Sequence, residues 1–568
     1  VKRHSGKFSL GGPILAIGLI LAGAIQALAC TSVFVGKDAS ATGHVIIARN
    51  EDYRKGWAKH LIVNASRAVT SGDTQTFWSG MKLGYPADMT KTLKYMSVPD
   101  WIYSDPEETY IPMDEVGINS AGVAVSATET QSLNSAAKTV ISLDGLIEES
   151  QIPSVILPRA RTALEGVRIF GAAVEKFGAE ESGGFAIADK DQVWYLEYSG
   201  NRWAAARVPD SRYIIVPNAK VLNNYKPDDT ENFLGSDGWV TLVRENNLLS
   251  ADQTTDAYIK ANGLNLAKAL GTLDWAGNGV RVWWGHKHFT PSANEAPELA
   301  AYPFFMTPDE KITKKAIMTF LKSDNYTGTA YENPLPGVRS VARPIAVRTN
   351  IESHIVELGE TDTVPGDIGN VLWLALGNVA DGVYLPFCQG ITKIPASYDL
   401  GTDTADVQSA FWAYYGSSVT AQSNDDTYGT TLEQGLKNYW GPFQNAVLSA
   451  FDTFQASALK RYRSAGGSTK TAADSLSDSV VQYLNDQVTS FSDKTLAKAW
   501  ELQESLALAA TNGASATFNP TYASGDAPKA EDVPGYPSSS SGGCSAAGLA
   551  PLLLMVVLPL AMKLRNRR

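Results

Sequence analysis

A chain of 568 residues with 44% apolar and 10% aromatic residues fits a well-packed globular protein. Its three cysteines, Cys30, Cys388 and Cys544, form no Cys-x-x-Cys and are too scattered for a disulfide framework. The formal charge is −11; residues 1–29 carry +3 and residues 546–568 carry +4 without an acid, so the body between them is −18, which argues against nucleic acid or an anionic membrane surface as a partner.

In chain order, Lys2, Arg3 and Lys7 make a basic start, Leu10 to Ile25 is an apolar run broken by glycines and Pro13, and small residues follow at Ala27 and Ala29. This pattern predicts a signal peptide over 1–29, with a signal peptidase as partner and an exported product that begins at Cys30. An N-terminal cysteine carries a thiol (pKa ~8.5) and an α-amine (~7.7–8.0) that both titrate near neutrality, so one can serve as base for the other. Two other readings stay open: a lipid-modified cysteine, although Ala27 stands where leucine is usual, and an ordinary buried thiol.

Thr31 to Val35 and Val45 to Ala48 read as strands around the turn Gly36-Lys37-Asp38. Val116 to Ala127 reads as a third, with Ala121-Gly122 placed to turn or bulge. Ala160 to Phe177 has helical spacing, and Gly178 can end it. Gly184 to Tyr198 and Trp203 to Val216 read as paired strands about Ser199-Gly200-Asn201, and Val371 to Leu376 and Val383 to Phe387 as late strands. His286 and His288 would then share one strand face, as surface polar residues or half a metal site. His44 and His354 are alternative bases for a thiol. From about residue 401 to 510 the pattern is helical; 511–545 is rich in Ser, Pro, Ala, Gly and Thr and predicts a flexible linker.

Ala546 to Met562 is an apolar run of 17 residues, about 26 Å long as a helix against a ~30 Å hydrocarbon core, and a basic end follows. Residues 546–568 therefore read as a transmembrane or sorting tail, with the basic end cytoplasmic. Gly542-Gly543-Cys544 before it resembles bacterial sorting tails of the Gly-Gly-Cys type. A simple membrane anchor and cleavage near Cys544 by a sorting protease both remain open.

Several segments match one family together: Cys30-Thr31-Ser32-Val33-Phe34-Val35-Gly36, Ala48-Arg49-Asn50-Glu51-Asp52, Asn119-Ser120-Ala121-Gly122 running on to Ser126-Ala127-Thr128-Glu129-Thr130, Leu157-Pro158-Arg159-Ala160, Trp194-Tyr195-Leu196-Glu197, Val216-Pro217-Asn218 and Arg281-Val282-Trp283. Over roughly residues 30–400 the chain resembles the C69 dipeptidase family of N-terminal nucleophile hydrolases, whose wider relatives include penicillin V acylase and bile salt hydrolase. The resemblance implies an α+β fold, a four-layer αββα sandwich, with the helical C-terminal portion added. It implies Cys30 as nucleophile, Arg49 near the sulfur, Asp52 orienting the α-amine, Asn119 and Asn218 as oxyanion donors, and Arg281 as the family's later arginine. Glu129 would orient a substrate ammonium or tie down its loop.

The expected protein is an exported cysteine dipeptidase, at the cell surface or in the periplasm, acting on small peptides without metal or organic cofactor. A related amide acylase, or from another class a lipid-anchored surface binding protein, is the alternative.

Overall fold

The computed structural model describes residues 30–53, 56–101, 114–402, 404–467 and 476–530. The expected leader 1–29, residues 531–545 of the expected linker, and the tail 546–568 lie outside these described residues, as does Cys544.

The strands of the two large sheets are β1 (Thr31–Val35), β2 (Val45–Asp52), β3 (Ile62–Asn64), β4 (Tyr95–Pro99), β5 (Asp114–Asn119), β6 (Ala124–Thr130), β7 (Ser182–Ala188), β8 (Val193–Ser199), β9 (Arg202–Val208), β10 (Tyr213–Val216), β11 (Phe233–Gly235), β12 (Asn350–Leu358), β13 (Asn370–Leu376) and β14 (Leu385–Cys388). One sheet has six strands in the order β10-β1-β2-β12-β13-β14; the other has eight, β11-β9-β8-β7-β6-β5-β4-β3. Neighbouring strands are antiparallel throughout both sheets.

Alternation along the strands explains the layering. Val33 and Ala48 pair across the first hairpin and point one way; Phe34 and Ile47 pair and point the other. Phe34 meets Tyr195 of the eight-stranded sheet, with ring centroids 6.1 Å apart, so that face lies between the sheets. Each such fully buried apolar side chain contributes about 1.5–3 kcal/mol, which is what binds the two sheets face to face. The far face of the eight-stranded sheet, with Val125, Phe185, Trp194 and Leu196, forms a second core with α1 (Ile152–Ile156) and α2 (Ala163–Phe177). Thr162 caps α2 by accepting from the Glu165 amide, and Gly178, at φ 67°, ends it.

On the six-stranded side, α3 (Val280–Phe289) packs on β10 and α4 (Lys314–Leu321) on β2. The long helices α5 (Ala410–Tyr428), α6 (Leu432–Ser464) and α7 (Asp478–Ala510) pack on one another, and α5 and α7 reach β13 and β14. Trp373 of β13 and Phe451 of α6 meet edge to face at 4.9 Å. The helical C-terminal portion thus covers the six-stranded sheet at β13 and β14.

The structure differs from the sequence-based reading in four places. The run 116–127 is two strands, not one, because Gly122 takes φ 78° and turns the chain between β5 and β6. The stretches 184–198 and 203–216 are four strands; the hairpin about Gly200 stands where expected, but further turns divide each stretch. Residues 280–289 are helical, so His286 and His288 lie about 200° apart rather than on one face. His286 meets Glu295 at 2.7 Å, and His288 meets the Ala316 carbonyl at 3.2 Å. Finally, the described part of the expected linker packs onto the helices: Ala516, Phe518 and Ala527 are buried, and Asp526 accepts from Tyr439 at 2.9 Å.

Candidate active site

The first hairpin sets the geometry. Thr31 pairs with Asn50 and Ser32 with Arg49, so one more step of the ladder sets Cys30 opposite Glu51. Cross-strand partners share a face, which places Cys30, Ser32, Arg49 and Glu51 on the face between the sheets, while Thr31, Asn50 and Asp52 point to the other side. Arg49 Nη2 donates to Cys30 Sγ at 2.8 Å. Its Nη1 donates to Glu115 of β5 at 3.2 Å, and its Nε lies 3.8 Å from Glu129.

Glu129 reaches this site through a bulge. Along β6 and β7, Ser126 pairs with Ala186 and Glu129 with Gly184, three residues against two. The extra residue turns Glu129 to the same inter-sheet face as Ser126. Ser32 Oγ donates to one Glu129 oxygen, and the other has no hydrogen-bond partner although the side chain is fully buried.

Burial pushes the Cys30 thiol up, against the opposing pull of Arg49; Glu51, Glu129 and Glu149 add to the rise. Burial raises the Glu129 carboxyl to about 7, although Arg49 and the Ser32 hydroxyl favour its anion. Glu115 is driven up by burial and then by Glu51. Burial likewise raises Glu51, with Lys59 and Arg49 opposing. Lys59 is itself fully buried between Glu51 at 3.0 Å and Asp100 at 2.5 Å.

Arg281 approaches from the opposite side. A π-turn at Trp275–Gly279 leads into α3; it presents the Gly277 carbonyl to Arg281 Nε at 2.8 Å and Asn278 Oδ1 to Nη2 at 2.6 Å. So held, Nη1 donates to the Cys30 carbonyl and, at 2.7 Å, to Thr31 Oγ1. Nη2 also donates to Asn218 Oδ1 at 3.3 Å, which leaves the Asn218 amide NH2 turned away from the guanidinium. Burial lowers the Arg281 guanidinium to about 10. Glu197 fixes the loop after Asn218 by accepting from the amides of Val221 (2.7 Å) and Leu222 (3.1 Å).

Asp52 is buried on the Thr31 side of the hairpin, one step past Cys30, where Arg343 and Asn350 both bind it. Asn119 is elsewhere, and its expected oxyanion role is corrected. Its NH2 donates to the carbonyls of Leu157 (2.9 Å) and Ala160 (2.7 Å), and its Oδ1 accepts from Ala121 and Val123. Both donor hydrogens are engaged, so Asn119 stitches the β5–β6 turn to the 157–160 segment and has none left for a substrate. His44 and His354 are also occupied, by Glu357 and by Ser126 with Glu352, and neither touches Cys30.

Cys30, Arg49, Glu129, Asn218 and Arg281 are therefore linked by contacts; Asp52 lies one ladder step past Cys30 on the Thr31 side, and Asn119 is apart from them. Sequence reasoning missed Glu115, Arg343 and Asn350. Glu51 stood in plain view between Arg49 and Asp52. A cavity of about 560 Å³ lined by Ile215, Lys220, Val282, Tyr302 and Phe304 contains none of the site residues; it adjoins them through Val282, next to Arg281.

The sequence is 32% identical over 397 residues to a probable dipeptidase of Salmonella dublin, covering 68% of this chain and 87% of that protein. It is 30% identical over 416 residues to dipeptidase A of Lactobacillus helveticus (70% and 82% covered) and 29% over 439 residues to a probable dipeptidase B of Lactococcus lactis subsp. lactis (75% and 88%). A crystal structure of a mutant conjugated bile acid hydrolase from Clostridium perfringens overlaps 66% of this chain and 95% of its own, at 9% identity and a TM-score of 0.30, too slight a likeness to bear on the fold. The profile of peptidase family C69 matches residues 29–438, from the residue before Cys30 into α6, and the chain belongs to that family.

Proposed function

We propose that the protein is an exported cysteine dipeptidase, a four-layer αββα N-terminal nucleophile hydrolase whose Cys30 is exposed by removal of residues 1–29 and whose tail anchors or sorts the body at the cell surface. The observation that carries the reading is the buried contact of Arg49 with Cys30 Sγ at 2.8 Å, together with the grip of Arg281 on the Cys30 carbonyl. A thiol raised by burial needs a cation on its sulfur to ionise, and Arg49 is placed there.

On this reading the Cys30 α-amine, oriented by Asp52, takes the thiol proton as the thiolate attacks the scissile carbonyl. The Asn218 NH2, aimed by Arg281, donates to the oxyanion. The amine then returns its proton to the leaving nitrogen, and the C–N bond breaks to leave a thioester. Water, deprotonated by the same amine, hydrolyses the thioester and frees the thiol. The unpartnered Glu129 oxygen receives the substrate's α-ammonium, which selects small peptides with a free amino end. The dipeptidases among the relatives support this substrate class.

The test is the Cys30→Ala variant with intact-mass analysis of protein from its host. Turnover of alanyl-leucine should vanish in Cys30→Ala while the fold persists, and the mature chain should begin at an unmodified Cys30. Full activity in that variant, or a lipid adduct on Cys30, would overturn the assignment.

A further inference from the structure

Behind Arg49 lies a second polar chain that the reaction does not use. Glu352 and His354 on β12 and Ser126 on β6 are all wholly buried. His354 Nδ1 lies 2.9 Å from Glu352 Oε1, and Nε2 lies 2.8 Å from Ser126 Oγ. With Nδ1–H donating to Glu352, Nε2 accepts from the serine hydroxyl. The order Ser–His–Glu has the form of a hydrolytic triad, but no substrate carbonyl can reach a serine enclosed between two sheets.

Its placement gives it a different use. His354 is the ladder partner of Arg49, and Ser353, beside it, donates to the Arg49 carbonyl at 3.2 Å and meets Tyr384 Oη at 2.6 Å. Ser126 lies just before the bulge that turns Glu129 into the site. The chain therefore ties the strand that backs Arg49 to the strand that carries Glu129. Besides the site's own links, Arg49 with Glu115 and Glu129 and Ser32 with Glu129, the inter-sheet contact here includes the apolar Phe34, Ala186 and Tyr195, and apolar contact does not fix a lateral position.

Position matters because the sulfur has competitors for the Arg49 guanidinium. Glu115 and Glu129 lie 3.2 and 3.8 Å from it, and a carboxylate can take two guanidinium hydrogens where sulfur takes one. A small slip of β2 against β6 would let Arg49 leave Cys30 for a carboxylate. We propose that Ser126, His354 and Glu352 are positioning residues for the C69 reaction, a buried polar clamp that holds the two sheets in the register at which Arg49 stays on the nucleophile's sulfur. The proposal rests on Cys30 being the nucleophile.

The test uses the full chain purified from its host, with Ser126→Ala as the mild variant and His354→Gln as the stronger one. Two quantities are read: kcat and KM for alanyl-leucine, and the pH midpoint of Cys30 alkylation by iodoacetamide, followed by mass on the Cys30 peptide. Ser126→Ala should lower kcat about tenfold with KM within about twofold, and raise the alkylation midpoint by about half a pH unit or more as Arg49 drifts from the sulfur. A Ser126→Ala protein that loses thermal stability but keeps the wild-type kcat and alkylation midpoint would show a purely structural link and overturn the proposal. If His354→Gln fails to fold, Ser126→Ala alone decides. Retained turnover in Cys30→Ala would defeat the nucleophile assignment instead, and the alkylation profile would still report on Arg49.

Discussion

Replacing Glu129 by glutamine should stabilise the protein and impair it, each in its own pH range. A buried carboxyl moved from 4.5 to about 7 burdens the folded state by about 3 kcal/mol when it ionises. Because its folded pKa lies above its unfolded one, the stability it permits is complete below pH 4.5 and is lost as pH rises through about 7. Glutamine keeps the shape and cannot ionise. Glu129→Gln should therefore match the wild type near pH 4.5 and exceed it by up to about 3 kcal/mol at pH 8 in denaturant unfolding. Function should move the other way. An ammonium binds the carboxylate, so the wild-type KM for alanyl-leucine should fall as pH rises from 6 to 8. In Glu129→Gln the KM should be high and flat across that range. A wild-type KM independent of pH between 6 and 8, unchanged by Glu129→Gln, would refute the role given to Glu129. Equal stability of the two proteins at pH 8 would refute the burial argument itself.

Arg49→Gln removes the cation from the sulfur, an interaction of about 4 kcal/mol for unit charges about 4 Å apart at an effective dielectric of 20. The neighbouring carboxyls take up protons and soften the effect, so the alkylation midpoint of Cys30 should rise by at least about one pH unit; an unmoved midpoint would contradict the contact. Asn218→Ala should lower kcat about 100- to 1,000-fold with the fold intact, as loss of an oxyanion donor does. Asn119→Ala should instead cost about 2–4 kcal/mol of stability, since it strands two carbonyls and two amides, and leave kcat per folded molecule near wild type. Reversal of these two outcomes in paired kinetics and melting experiments would restore Asn119 to the oxyanion site.

How far the sequence revealed the site depended on the span of chain that builds each part. Cys30, Arg49 and Asp52 belong to one hairpin, and a hairpin's register is local, so their closeness could be reasoned from two strands and a turn. Glu115, Arg343 and Asn350 arrive through pairings and packing with partners 66 to 298 residues away, which no local pattern announces. Asn119 was misplaced because an asparagine beside a glycine turn looks alike as a donor to substrate or to its own loop; only the carbonyls of Leu157 and Ala160 decide. The bulge that aims Glu129 is invisible in β6 alone, since it exists only as three residues set against two of β7. Residues 280–289, rich in valine and tryptophan, favour a strand by propensity yet form a helix. There Gly285 lies against Ile215 of β10 so closely that an added Cβ would sit 2.6 Å from it, and tertiary packing overrides the local preference.

The crowd of carboxyls about Arg49 at first looks hostile to a thiolate. Were Glu51, Glu115 and Glu129 all ionised, the guanidinium would leave the sulfur for a better acceptor, and the thiol would face added negative charge. Burial prevents this by raising all three, so the proton whose loss would make a rival of Glu129 is held until about neutral pH. A substrate ammonium then brings the positive charge that lets Glu129 ionise without drawing on Arg49. On the dipeptidase reading, binding and activation are therefore coupled. The free amino end that marks a peptide as substrate also satisfies the carboxyl that would otherwise compete with Cys30, and a peptide with a blocked amino end would forfeit kcat as well as affinity.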